Sequence, residues 1–225
     1  MIKKLVALVL ALLMVASTAS AEITKGFTMY HGSREDKRVC ITIDDLKLTE
    51  WVQAIFDLGQ ELDVPMTFFV LGYVLEDDDA DMWRAIAESN CEIGNHTYNH
   101  ADLPLLGASD IIANLNRTQN RLDEVLGYHY QMRVMRPPFG HIHENGSSYK
   151  VSHAVDKAGY EHMVLWDVSE TDPAKCYRNV QNGSILLFHS MPNDLHCLEE
   201  LLPRLIEDGY EFLTVSQMAE LSPAK

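Results

Sequence analysis

The feature that most constrains this chain is a recurrence: a short apolar run, then a helical stretch, repeated along its length. The runs are "RVCITID" (38–44), "MTFFVLG" (66–72), "CEIGN" (91–95), "RVMR" (133–136), "EHMVLWD" (161–167), "SILLFH" (184–189) and "YEFLTV" (210–215). Between them, apolar residues three and four apart predict helices over 49–62, 80–89, 108–126, 148–159 and 194–209. Several of these stretches close with glycine, a common helix stop. Strands that are apolar without alternation, and that alternate with helices, imply a parallel sheet buried on both faces. The expected class is therefore α/β. Seven strands in one domain suggest a (β/α) barrel, with a doubly wound open sheet as the alternative.

A leader-like segment precedes this domain. Lys3 and Lys4 precede the apolar run Leu5–Ala16, and Ala19-Ser20-Ala21 has the small-x-small form of a signal-peptidase site. The run is shorter than the ~20 residues a transmembrane helix needs. A cleaved secretory signal over 1–21 is expected, leaving 22–225 as one catalytic domain in a secreted or periplasmic protein. Nothing in the sequence predicts stable membrane insertion after cleavage.

The chain has 33 acidic residues against 18 lysines and arginines, a formal net charge of −15. That balance excludes nucleic acid as an expected partner and favours a neutral or cationic substrate, unless a local basic groove overrides it. Export permits disulfides. Cys40, Cys91, Cys176 and Cys197 allow three complete pairings, with Cys176 and Cys197 in the more loop-like contexts. No CxxC motif is present.

In barrels and open α/β sheets alike, chemistry collects at the carboxyl ends of the strands. Here those ends carry Asp44 and Asp45, His96, Arg136, Asp167 and His189. Adjacent strand residues point to opposite faces, so Asp44 and Asp45 are poorly placed to flank one glycosidic bond. At a strand end they can divide duties, one binding a metal and one acting as a base. A solvated loop or helix cap is the alternative. "NHTYNH" (95–100) spaces His96 and His100 to reach one cation, with a carboxylate completing a set of three. Taken alone, the same spacing also fits surface histidines. "RPPFGH" (136–141) is a stiff loop able to hold Arg136 and present the Phe139 N–H. His189 leaves an apolar strand, Trp166 and Phe188 read as core, and His141 and His143 read as solvated loop residues.

Taken together these segments resemble the polysaccharide deacetylase family, the NodB-homology domain. The resemblance runs from about Val39 to Met218. The family motif T-F-D-D resembles "TIDD" (42–45), H-[ST]-x-x-H resembles "HTYNH" (96–100), and R-P-P-[YF]-G resembles "RPPFG" (136–140). D-x-x-D-W resembles "SETDP" (169–173), and L-x-H resembles "LFH" (187–189). The resemblance implies a distorted (β/α) barrel, commonly of seven strands. It implies Asp44 as catalytic base, with Asp45, His96 and His100 holding a divalent metal, most often zinc, with cobalt or nickel as alternatives. It implies Arg136 as the residue that holds Asp44, Asp172 as a tether for Arg136 that also reaches His189, and His189 as general acid. The Phe139 N–H is implied as an oxyanion donor and Leu187 as a wall of the acetyl pocket.

The implied reaction removes N-acetyl groups from N-acetylglucosamine-containing poly- or oligosaccharides. An O-acetyl ester hydrolase acting on a polymer such as xylan is the alternative, and a non-catalytic carbohydrate-binding relative is a second. The chain departs from the motifs at Ile43, Leu46, Ser169 and Pro173. Those departures spare the implied ligands and acid–base pair, and alter the walls of the groove.

Overall fold

The computed structural model describes residues 27–221. The leader expected over 1–21 lies outside the described residues. No helix among the described residues is long and apolar enough to cross a membrane.

Among the described residues, eight strands form one sheet: β1 (Thr28–Met29), β2 (Arg38–Asp45), β3 (Met66–Val70), β4 (Glu92–Asn95), β5 (Val134–Met135), β6 (His162–Val164), β7 (Ser184–His189) and β8 (Glu211–Phe212). Seven of them run in the order β1-β6-β5-β4-β3-β2-β7, and β8 adds to the foot of β2. Every pairing is parallel. The seven-stranded curled sheet expected from the sequence is present. Beyond the end of β6, Val168 makes an isolated parallel bridge with Leu186 of β7. The Leu187 N–H donates to Val168 O at 2.9 Å there. Asp167 sits at this bridge. It accepts from Arg34 Nη2 at 2.6 Å and from the Ile185 N–H at 2.8 Å, so it is a structural clasp.

Among the described residues, seven α-helices surround the sheet: α1 (Thr49–Glu61), α2 (Ala80–Glu88), α3 (Ala108–Leu126), α4 (Tyr149–Lys157), α5 (Pro173–Asn179), α6 (Pro192–Glu207) and α7 (Val215–Leu221). The sequence reason is the apolar spacing. α1 buries Val52, Ile55, Phe56 and Gly59, and α3 buries Ile111, Leu115, Thr118 and Leu122, each a single stripe. α3 stops at Gly127, whose φ of 79° gives the left-handed cap that a side chain would resist. β1, α5 and α7 have no counterpart among the segments that the apolar pattern predicts. The strand predicted over 210–215 is instead the two-residue β8, with Val215 opening α7.

Two apolar clusters result. The larger lies between sheet and helices. The smaller fills the barrel interior with Met29, Cys40, Phe69, Val134, Val164 and Ile185. Leu213, Val215 and Met218 close its lower end. There the buried Glu92 accepts from the Ser216 N–H at 3.2 Å, from Ser216 Oγ, and from Thr67 Oγ1 at 3.0 Å. The upper, carboxyl end is left to polar residues. All four cysteines are free; Cys176 is on α5 and Cys197 on α6, and both are buried.

Candidate active site

At the upper rim β2 ends in Asp44 and Asp45. Thr42 and Asp44 are two apart and share a face, as alternation requires. Both point at Arg136, which follows β5. Arg136 Nη1 donates to Thr42 Oγ1 at 2.6 Å and to Asp44 Oδ1 at 2.8 Å. Its Nε and Nη2 donate to Val164 O and Leu165 O, at 3.3 and 3.1 Å. The guanidinium carbon lies 4.3 Å from the Phe69 ring centre and 5.6 Å from that of Trp166. Phe69 in turn needs Gly94, because a Cβ there would stand 2.6 Å from Phe69 Cε1. Burial lowers the affinity of Arg136 for its proton, and the Asp44 charge and hydrogen bond restore part of it.

β4 delivers His96, which is 3% exposed. The His96 N–H donates to Val70 O at 2.9 Å, and its Nδ1 lies 2.8 Å from Arg136 O. A backbone carbonyl only accepts, so Nδ1 carries the proton and Nε2 keeps a lone pair. That Nε2 faces Asp44 Oδ2 at 3.7 Å and Asp45 Oδ1 at 3.6 Å. His100 Nε2 stands 3.4 Å from the same Asp45 Oδ1. The loop between the two histidines is pinned: Asn95 Oδ1 accepts the Thr97 N–H at 2.7 Å, and Asn114 Oδ1 accepts the Tyr98 N–H at 2.6 Å.

Asp45, His96 and His100 thus offer three ligand atoms within 4.8 Å of one another. Asp45 Oδ1 is buried with no hydrogen-bond partner, while its Oδ2 accepts from Lys47 Nζ at 2.8 Å. This buried carboxylate oxygen and the Nε2 atoms of His96 and His100 converge on one point, where they could share a cation. This donor set fits a divalent transition metal. Burial works to raise the Asp45 carboxyl, but Lys47 and the two imidazoles outweigh it and hold it below the usual carboxylate range. Burial lowers both histidines, and for His100 the neighbouring His96 adds to the effect. All three ligands therefore favour their metal-binding form.

The rim is conformationally strained. Asp45, Leu46, Thr97, His100 and Phe139 have φ between 58° and 71°, and none is glycine. Such residues cost of order 1–3 kcal/mol each and persist only where surrounding contacts fix them. Phe139 is 56% exposed, and its ring meets the His100 ring edge-on at 4.5 Å between centres. Phe139, Gly140, Leu165, Trp166 and Tyr30 line a pocket of ≈ 190 Å³. Phe188 is core as read. Trp166 is more than core, since it lines this pocket and covers Arg136.

His189 ends β7 as the register partner of Asp44, on the strand next to it. Leu187, two residues earlier on the same face, is the register partner of Thr42. His141 is exposed, near the Phe139 ring and 3.2 Å from Asp102 Oδ1, and His143 is exposed too.

Asp172 corrects the expectation. It is exposed and caps α5, accepting the Lys175 N–H at 2.8 Å, with Pro173 opening the helix behind it. The bonds recorded for Arg136 go to Thr42, Asp44, Val164 and Leu165, with none to Asp172. Helix capping claims the Asp172 side chain. The residues that sequence reasoning missed around Arg136 are Thr42, Phe69 and Trp166. Inward alternation from Asp44 was the available signal for Thr42.

A family model described as polysaccharide deacetylase matches residues 31–170. The peptidoglycan-N-acetylmuramic acid deacetylase PdaC of Bacillus subtilis (strain 168) is 26% identical over 196 residues, 82% of this chain and 39% of that protein. A peptidoglycan-N-acetylglucosamine deacetylase of Bacillus cereus is 27% identical over 205 residues, 86% of this chain and 72% of that one. Among solved structures, BA3943, a CE4 family pseudoenzyme from Bacillus anthracis, superposes with a TM-score of 0.76 at 22% identity. The match covers 87% of this chain and 69% of that one, and it supports the fold.

Proposed function

The chain belongs to the polysaccharide deacetylase family, and from that premise we propose that it removes N-acetyl groups from N-acetylglucosamine units of an exported poly- or oligosaccharide. The observation that carries the reading is the junction of two constellations. A cation-shaped Asp45–His96–His100 cluster abuts a buried Asp44 that Arg136 holds and that has His189 as its register partner. A pure binding site needs no such acid–base pair beside its metal ligands. The two peptidoglycan deacetylases similar to this chain favour the amide reading.

Asp45, His96 and His100 would hold the metal, zinc by the softness of two imidazoles, with cobalt or nickel able to substitute. Such an ion, when bound, polarises an acyl carbonyl and makes water a nucleophile near neutral pH. The rest of the reaction falls to side chains. Asp44 takes the proton of the attacking water, and Arg136 keeps its carboxylate aimed. His189 gives a proton to the departing amine nitrogen as the C–N bond breaks. The Phe139 N–H donates to the developing oxyanion. Leu187, 7% exposed, walls the space for the acetyl methyl.

Acetate release from N-acetylated chitooligosaccharides, peptidoglycan and acetylxylan, with and without added zinc, tests the proposal. Zinc-dependent release from an N-acetylated glycan, abolished by Asp44→Asn and cut by orders of magnitude by His189→Ala, supports it. Release from acetylxylan alone moves the activity to esters. Stoichiometric zinc without release from any of the three makes the protein a binding relative.

A further inference from the structure

With Asp172 committed to its helix cap, the carboxylate hydrogen-bonded to His189 is a different one. β7 turns sharply after His189: the Met191 N–H donates back to His189 O at 2.9 Å, and α6 begins at Pro192. In the first turn of α6, Asp194 folds back on this turn. Its Oδ1 accepts the His189 N–H at 3.2 Å, and its own N–H donates to Met191 O at 3.1 Å. Asp194 is 5% exposed, and no lysine or arginine pairs with it among the described residues.

A buried carboxylate without a cation is costly. Burial raises the Asp194 carboxyl, and the backbone N–H and the charge of His189 are the main influences pulling it back. The carboxylate grips the backbone of His189 rather than its ring. Asp194 therefore fixes the turn from which the imidazole projects, with its carboxylate on the His189 backbone N–H.

We propose that Asp194 is the positioning residue of His189, holding the imidazole in place and stabilising its positive charge while it protonates the leaving amine. This rests on the reading of His189 as the acid. In the step itself the C–N bonding pair goes to nitrogen, and the imidazolium N–H proton follows it. Acetate and the amine leave, and His189 is left neutral. Asp194 remains a carboxylate throughout and exchanges no proton.

The test uses full-length zinc-loaded protein and two substrates. One is an N-acetylated chitooligosaccharide, whose amine leaving group needs a proton. The other is 4-nitrophenyl acetate, whose phenolate leaves unaided. Asp194→Asn keeps the shape and an oxygen for the His189 N–H but removes the charge. It is expected to lower kcat on the amide about tenfold or more, with KM little changed and the ester rate within about twofold. Asp194→Glu, which keeps the charge, is expected to retain more amide activity than Asn and guards against an Asn variant that fails to fold. Adding Asp194→Asn to His189→Ala should cost nothing further, because the two act as one unit. Equal losses on amide and ester, or an additive loss in the double variant, overturn the proposal and make Asp194 a helix cap only. If His189→Ala itself leaves amide turnover intact, the acid assignment fails and Asp194's role with it.

Discussion

Arg136 donates from Nη1 to Asp44 Oδ1 at 2.8 Å, and the two side chains are 0% and 4% exposed. An ion pair this deep costs much desolvation, and it holds because each partner is surrounded. Thr42, two backbone carbonyls and two aromatic faces complete the guanidinium's shell. Removing one member strands the other charge. Arg136→Met is therefore expected to destabilise the fold by about 3–5 kcal/mol. Adding Asp44→Asn to it should restore part of that loss, since no buried charge is then left alone. Urea unfolding of the two single variants and the double variant measures the coupling. Independent, additive losses would show that the pair does not carry the rim.

The metal cluster predicts a second, separable behaviour. Asp45 Oδ1 is buried and unpartnered in the cluster, so a bound cation relieves a cost that the metal-free fold bears. Zinc should bind with one equivalent and raise the unfolding temperature, by about 2.7 kcal/mol of stabilisation at a hundredfold excess over Kd. His96→Ala should bind no zinc in this range and show no thermal shift. Calorimetric titration of both proteins decides this, and an unchanged stoichiometry in His96→Ala removes His96 from the ligand set.

Acid should weaken the metal-free protein in a defined window. Burial holds His96 and His100 below the ordinary histidine value. As pH falls through about 6.5, the unfolded chain takes up protons that the native chain refuses. The unfolded state then binds more protons, so stability rises with pH there and is lost on acidification towards the lower native values. Asp45, held low, adds a loss of the same sense further down, below about 3.9. A His96→Gln/His100→Gln variant should lose stability less steeply between about pH 7 and 5. Taking the difference between the two profiles cancels groups such as Glu92, whose carboxyl is raised by burial and works in the opposite sense.

What the sequence made legible follows from where the information resides. β2, β3 and β7 are nearly unbroken apolar runs because both their faces are covered, so 38–45 and 184–189 stand out. The candidate trio Asp45, His96 and His100 is legible because its spacing survives as text at two strand ends. β1, two residues long, has no period to detect; its pairing with β6 creates it. Asp172 misleads because a motif gives its position along the chain and not the direction of its side chain, and Pro173 turns that position into a helix start. The left-handed backbone at Asp45, Leu46, Thr97, His100 and Phe139 is invisible for another reason. No glycine marks it, so only tertiary contacts record the strain.

That strain yields the last prediction. Phe139 has φ 61° and ψ 2° and is largely exposed, so its backbone is unfavourable while its ring contributes little burial. A residue with a Cβ in the left-handed region costs roughly 1–2 kcal/mol, which glycine avoids. Phe139→Ala and Phe139→Gly both delete the ring and its edge contact with His100, and they differ only in that Cβ. Elsewhere glycine is the less stable of the two, by about 0.4–1 kcal/mol of unfolded-chain entropy. Here the order should reverse, with Phe139→Gly the more stable by up to about 1 kcal/mol in urea unfolding. Both should loosen His100 and weaken zinc binding to a similar degree, because both lose the ring that braces it. An alanine variant as stable as the glycine variant or more so would mean the 136–140 loop relaxes once the ring is gone. The ring, and not the backbone, would then be what keeps this edge of the site in its strained form.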